Sequence, residues 1–521
     1  MRSSHRDYVI IGTSVANLAF LWVWQMNKAI TRGDSYFLRV AGDDYLAFVL
    51  NVIGLGILFA VGAMTVKRVD NRYITALAKT VFVLVTLFVL NHIRAMDRMI
   101  ADPSTLYASS DQIRKSPPIM ESTLGIILIG IAVAIAVVLV YRYSGVVVTA
   151  TKMIVMILFP WALFTLLGSI WFVMRYEPTT AFADLAPAGP VSKPAPIAQH
   201  VVFLLFDELD QELAFDKRPV DVSLPEFDRF RHQALEASQF YPNGGYTQLA
   251  IPGILSGRKV VETRPAGPKH LVIRYEGDEE ERDWIAQPNL FEAARELGFE
   301  TAVSGWYHPY CRLFNESLTR CFWMPIWWTS RGHDRGILQS ARDQWQYLLP
   351  GLGINRQRLV SLTEIKSHAE LMAVDEDIDL LFVHYPIPHR PIIYDRKRQQ
   401  LTTFRTTRAD YFDNLVLADH TLGALRAVME ENGVWDDATV VVTADHGVWD
   451  ENYGLPPAPL NRNDIGIRRV PLLMKLPRQR TRVVVSDSLH ASVLHDLLLG
   501  LLQGQIVEPN EAREWLKAVA H

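Results

Sequence analysis

Residues 200–208, HVVFLLFDE, read as an apolar strand that runs into two carboxylates. Six consecutive apolar residues without alternation describe a strand buried on both faces, as in a parallel sheet covered by helices. Short runs of the same kind recur at ETAVSGWY (300–307), IDLLFVHY (378–385), ATVVVTADH (438–446) and VPLLMKL (470–476). Between them lie helical patterns such as ADYFDNLVLADHTLGALRAVMEENG (409–433). The alternation predicts an α/β domain over residues 200–521 with a mostly parallel sheet.

Upstream, residues 176–199 (YEPTTAFADLAPAGPVSKPAPIAQ) are rich in Pro and Ala without a periodic apolar face, as expected of an extended linker. Residues 1–175 are different again. Five segments, about 8–25, 44–65, 74–92, 122–142 and 152–174, are long and apolar enough to cross a hydrocarbon core of ~30 Å, so a five-helix transmembrane bundle is expected there. The third carries Lys79 near one end, which can snorkel to the interface or mark a buried soluble helix. The first lacks a small-residue cleavage site and is read as a retained span rather than a signal peptide.

The chain has 521 residues, 49% hydrophobic, and a formal net charge of -4, which gives no bias toward nucleic acid. An odd number of spans puts the termini on opposite sides. Lys and Arg are evenly divided between the two sets of connections; Lys79 tips the balance toward a cytoplasmic N-terminus and an extracytoplasmic C-terminal domain. The two cysteines, Cys311 and Cys321, bracket CRLFNESLTRC, which suits a disulfide in an oxidising compartment, with two free thiols as the alternative.

Ligands in open α/β sheets collect at the carboxyl ends of the strands. The 200–208 strand delivers Asp207 and Glu208 there, and the 438–446 strand delivers Asp445 and His446. Carboxylates and imidazole together suit a divalent metal, Zn²⁺ or Mn²⁺. The segment LFVHYPIPHRPIIYD (381–395) presents His384 on a strand and His389 between prolines that fix its backbone. His389 could protonate a leaving group or bind phosphate or metal, whereas His384 reads equally as a core histidine. In NGGYTQLAIPGILSGRK (243–259), paired glycines precede Thr247, and AIPGILSG reads as the opening of a helix whose N-terminus favours an anion. Coordination to a divalent cation would lower the pKa of the Thr247 hydroxyl and make it a nucleophile; the alternative is that Thr247 caps the helix. Aromatic residues in WYHPYCRLF (306–314) and CFWMPIWW (321–328) suit either a membrane-interface cluster or an ordinary core.

In the order FDEL, TQLAIPGILSGR, PHRP and ADHG, these segments resemble the alkaline phosphatase and sulfatase superfamily. Registered on ILSGR, the sulfatase nucleophile position falls on Thr247. The phosphoethanolamine transferases place their catalytic threonine five residues before a proline, and Pro252 selects Thr247 again. The five spans resemble those of the phosphoethanolamine and phosphoglycerol transferases. The resemblance implies a sulfatase-like fold over roughly residues 200–505 and metal ligands Asp207, Glu208, Thr247, Asp445 and His446. It also implies catalytic roles for Thr247 and His389. Ile251 stands where sulfatases have an arginine, and no cysteine occupies the nucleophile position, which argues against a formylglycine sulfatase. No histidine occurs between His446 and Met474, so the second metal site of the phosphoethanolamine transferases is not expected. The implied activity is transfer of a phospho-headgroup from a membrane lipid donor to an envelope glycan or lipid acceptor, at the outer face of a bacterial inner membrane. Hydrolysis by water and a non-catalytic envelope scaffold are the alternatives.

Overall fold

A computed structural model describes residues 5–31, 34–37, 42–69, 71–101, 142–175, 200–326, 336–346, 350–403, 410–448 and 468–520, with a few isolated positions between them. The chain divides into two compact units.

The first unit comprises residues 1–31, 39–179 and 329–353. It contains α1 (His5–Thr31), α2 (Gly42–Arg68), α3 (Arg72–Ala101), α4 (Ser144–Ile157) and α5 (Phe159–Arg175). Among the described residues, four helical stretches are long and apolar enough to cross a membrane: His5–Trp24, Gly42–Arg68, Arg72–Asn91 and Gly145–Met174. The span expected at 122–142 and the 176–199 linker fall almost wholly outside the described residues. Helices α1 and α2 approach closely at Gly12, where a Cβ would lie 2.5 Å from the Gly56 carbonyl oxygen. Thr165 on α5 donates to Asn17 on α1 at 2.6 Å, a bond between apolar helices worth roughly 0.6 kcal/mol.

A segment far along the chain belongs to this unit. Helix α6 (Gly336–Gln346) lies against α2 through polar side chains. Asn51 donates to the Ala341 carbonyl and to Gln344 Oε1 at 3.0 and 2.9 Å, and accepts from Trp345 Nε1 at 3.0 Å. Gln344 and Ser340 donate to the Asp44 backbone and carboxylate at 2.7 and 2.6 Å. The boundaries expected from sequence, 1–175 and 200–521, are therefore interleaved: 329–353 joins the apolar unit, and 32–38 joins the other.

The second unit is built on an eight-stranded sheet among the described residues. Its strands are β1 (Val201–Asp207), β2 (Leu235–Ala237), β3 (Thr301–Tyr307), β4 (Arg320–Pro325), β5 (Leu380–Pro388), β6 (Thr439–Ala444), β7 (Leu472–Lys475) and β8 (Val483–Val485), in the order β8-β2-β7-β6-β1-β5-β3-β4. Strand β1 pairs in parallel with β6 and β5, so all seven of its residues are buried, as the unbroken apolar run requires. The VPLLMKL run supplies β7, which is antiparallel to β6. Within the aromatic segments, Trp306, Tyr310, Phe314 and Trp323 are 0–3% exposed and belong to the core, so the interface alternative does not hold for these four, while Trp327 and Trp328 lie outside the described residues. Cys311 and Cys321 are disulfide-bonded, joining the short helix Tyr310–Leu313 to β4.

Candidate active site

Because β1, β5 and β6 run parallel, their carboxyl ends deliver side chains to one edge. Asp207 ends β1, and Asp445 and His446 follow β6. Their ligand atoms all lie within 4.8 Å of one another, and all three residues are buried. Both Asp207 oxygens and Asp445 Oδ2 have no hydrogen-bond partner, while Asp445 Oδ1 accepts from the backbone N–H groups of His446 and Glu208 at 2.8 and 3.2 Å. Burial, then the neighbouring Asp445 and Glu208, raises the Asp207 pKa well above the ordinary carboxylate range. Buried carboxylates with unmatched oxygens are costly unless a cation joins them.

His446 completes a donor set that fits such a cation. Its Nδ1–H donates to the Gly447 carbonyl at 2.8 Å, which leaves the Nε2 lone pair toward Asp207 Oδ1 at 3.6 Å and Asp445 Oδ2 at 3.5 Å. Two carboxylate donors and an imidazole suit a divalent metal. Glu208 sits apart from this group: it adopts φ 65° immediately after β1, and its carboxylate faces His389 Nε2 at 3.9 Å. Tyr411 holds that backbone by donating to the Glu208 carbonyl at 2.8 Å.

Thr247 reaches the same place from α7 (Thr247–Ser256), its Oγ1 3.5 Å from His446 Nε2. The helix begins at Thr247 itself, earlier than the AIPG segment suggests, and Pro252 lies inside it. Tyr246, in extended conformation, occupies the N-cap without a side-chain capping bond, so Thr247 is the first helical residue and not the cap. Its hydroxyl is thus at a helix N-terminus, where the dipole favours negative charge.

His389 follows β5 between two cis X-Pro bonds, Ile387-Pro388 and Arg390-Pro391. Its backbone N–H donates to the Asp207 carbonyl at 3.0 Å. Two residues without a sequence motif clamp this turn. Arg358, on α8 (Pro350–Met372), donates to the Pro386 and Arg390 carbonyls at 2.7 and 2.6 Å and lies 4.0 Å above the Trp306 ring. Asn414, on α9 (Tyr411–Glu431), donates to the Pro388, His389 and Pro391 carbonyls at 3.2, 3.1 and 3.0 Å. His389 Nδ1 lies 2.7 Å from the Arg390 carbonyl and 3.3 Å from Arg358 Nη2; the shorter contact, to an oxygen that only accepts, calls for the proton on Nδ1 and the lone pair on Nε2. Burial, then Arg358 and His446, lowers its pKa well below the usual histidine value.

His384 lies on β5, fully buried, with Nδ1 3.0 Å from the Tyr310 hydroxyl. Asp207, Asp445, His446 and Thr247 therefore converge; Glu208 and His389 form an adjoining pair.

Residues 265–513 match the family model of type I phosphodiesterase / nucleotide pyrophosphatase. No curated protein matches the chain. Among solved structures, a phosphonate monoester hydrolase from Silicibacter pomeroyi is similar at 15% identity over 58% of this chain and 73% of that one, with a TM-score of 0.40. A protein of the alkaline phosphatase superfamily from Vibrio parahaemolyticus matches at 14% over 65% and 74%, TM-score 0.39. The lipoteichoic acid synthase LtaP from Listeria monocytogenes matches at 11% over 60% and 75%, TM-score 0.37. The family match falls largely within the compact unit that carries the buried Asp-Asp-His group at the sheet edge.

Proposed function

We propose that the protein is a membrane-anchored phospho-headgroup transferase whose nucleophile is Thr247. The observation that carries this reading is the Thr247 hydroxyl at a helix N-terminus beside the buried Asp207, Asp445 and His446 group, in a chain with helices long and apolar enough to cross a membrane. A divalent cation, Zn²⁺ or Mn²⁺, held by those three residues would lower the pKa of the Thr247 hydroxyl and stabilise charge on the phosphoryl oxygens.

Thr247 Oγ1 loses its proton and bonds to the phosphorus of a lipid phosphodiester. The bond from phosphorus to the glyceryl oxygen breaks, and that oxygen leaves with the electron pair and takes up a proton. An acceptor hydroxyl on an envelope glycan or lipid then attacks the same phosphorus, gives up its proton, and returns the oxygen and a proton to Thr247. His389 Nε2, which carries a lone pair, serves these proton exchanges. The catalytic domain faces the periplasm of a bacterial inner membrane in this reading, where the lipid donor and acceptor meet.

The match to a phosphodiesterase family supports a second reading, in which water replaces the acceptor. Incubation of detergent-solubilised protein with phosphatidylethanolamine and phosphatidylglycerol, plus lipid A as acceptor, separates the two. Headgroup phosphate appearing on lipid A supports transfer; release of free phosphoethanolamine or phosphoglycerol alone supports hydrolysis. Consumption of neither lipid would defeat the transferase reading.

A further inference from the structure

Helix α6 has its polar and apolar sides the wrong way round for a helix in water. Its inner side is polar: Ser340 and Gln344 donate to the Asp44 carboxylate and carbonyl at 2.6 and 2.7 Å, and Gln344 also accepts from Asn51 at 2.9 Å. Its outer side is apolar: Leu338, Trp345 and Ile337 are 78, 44 and 37% exposed. A helix on the surface of a water-soluble protein buries its apolar stripe and turns its polar residues to solvent.

The helix beneath it accounts for the reversal. Helix α2 is one of the stretches long and apolar enough to cross a membrane. At ~1.5 Å per residue its 27 residues extend ~40 Å, so a hydrocarbon core of ~30 Å leaves ~5 Å at each end, and Asn51, roughly 13 Å from the first residue, falls inside the core. Polar groups at that depth find no water and must be satisfied by protein. For Asn51 the partners come from α6: its amide donates to the Ala341 carbonyl and Gln344, and its carbonyl accepts from Trp345 Nε1. Leu50 and Ile53, on the same turns of α2, are 44 and 47% exposed, so the lipid-facing surface of α2 begins where α6 lies. The 11 residues of α6 extend ~16 Å, too short to cross.

We propose that α6 is embedded in one leaflet of the bilayer that α2 crosses: its polar side closes off Asp44 and Asn51, and Leu338, Ile337 and Trp345 lie among the acyl chains just below the headgroups. Arg342, exposed and one turn from Leu338, snorkels to headgroup phosphate. Trp345 suits this boundary, with its N–H bonded to Asn51, one edge of its ring against Phe20 of α1 at 5.2 Å, and the remainder left for lipid. In sequence, α6 falls between residues 180–328 and 354–521 of the second unit, so the chain enters the bilayer again between β4 and β5. The inference rests on α2 crossing a membrane.

The test uses full-length protein in vesicles of phosphatidylethanolamine and phosphatidylglycerol. Cys311 and Cys321 are bonded to each other, so an introduced cysteine is the single site for a nitroxide label. Leu338→Cys replaces an exposed side chain, and Ile337→Cys supplies a second position on the same side should the first variant insert poorly. Leu58→Cys, at a position 66% exposed near the middle of α2, reports lipid; Val220→Cys, at a fully exposed position of the second unit, reports water. Collision of the Leu338→Cys label with oxygen, relative to collision with a water-soluble nickel chelate, should exceed that of the Val220→Cys label several-fold and fall short of the deeper Leu58→Cys label. Labels on α6 as open to nickel as the Val220→Cys label, with the Leu58→Cys label protected by lipid, overturn the inference and leave α2 as a span. Labels on α6 shielded from both reagents also overturn it, and show that protein, such as a second copy of the chain, covers this face. A Leu58→Cys label open to nickel defeats the span itself, and the inference with it.

Discussion

The Thr247 hydroxyl lies 3.5 Å from His446 Nε2, although 199 residues separate the two in sequence. Strand β6 and helix α7 bring them together at the carboxyl edge of the sheet, where Asp207 and Asp445 leave three buried oxygens without partners. The hydroxyl thus shares its surroundings with a donor set that fits a divalent cation, the arrangement on which the proposed role of Thr247 as nucleophile depends.

Loss of one member of that set should release the metal. His446→Ala removes the Nε2 lone pair and leaves Asp207 and Asp445 facing each other uncompensated. Metal content after dialysis should fall to background, and turnover about a thousandfold, since the cation's charge no longer acts on the nucleophile. Parental metal content in the purified variant would take His446 out of the ligand set.

Arg358 tests the turn that carries His389. Arg358→Lys keeps the charge but loses the planar fork that reaches both the Pro386 and Arg390 carbonyls. Turnover should fall roughly ten- to a hundredfold through misplacement of His389, with metal content unchanged. Parallel loss of metal and activity would show that Arg358 supports the metal group instead.

A pH effect on stability arises away from the site. Burial raises the pKa of Asp419, on α9, to about 7, against the bonds it accepts from the Phe227 and Glu226 backbone. Between the unfolded value, about 3.9, and about 7 the native chain holds a proton that the unfolded chain has released. Its contribution is therefore fully present below the unfolded value and lost as pH rises through about 7. Asp419→Asn should flatten this slope: thermal midpoints of parent and variant should differ more at pH 8 than at pH 5, in favour of the variant. A pH-independent difference would show that Asp419 stays ionised.

Much of this arrangement is legible in sequence, and the reasons are local. Strand β1 announces itself because a strand buried on both faces has no polar position to interrupt it, and its end at Asp207 is visible for the same reason. Asp445 and His446 follow from the equivalent run. Motif register and the glycine pair single out Thr247, yet the sequence suggests a later start for α7, because Pro252 reads as a first-turn residue and lies inside the helix. Glu208 reads as a ligand beside Asp207, but its left-handed backbone turns the carboxylate toward His389. Arg358 and Asn414 carry no motif. Their hold on the turn around His389 depends on tertiary neighbours.

Topology is open to chemical labelling. If the domain holding Cys311 and Cys321 faces the periplasm, a membrane-impermeant maleimide added to intact spheroplasts should label the pair only after reduction. Labelling without reduction would count against the bond, and labelling that requires lysis even after reduction would place the domain in the cytoplasm.

The central claim is that Thr247 becomes covalently bonded to phosphorus, and intact-protein and peptide mass spectrometry tests it most directly. Full-length protein, loaded with Zn²⁺ or Mn²⁺ and mixed briefly with phosphatidylethanolamine or phosphatidylglycerol, should gain the mass of one phospho-headgroup on the peptide that contains Thr247. Thr247→Ser should form the adduct more slowly, because the same oxygen is present on a side chain with less restricted rotation. Thr247→Ala should form none while remaining folded and metal-loaded. An adduct mapped to another residue, or a Thr247→Ala variant that turns over as fast as the parent, would contradict the account.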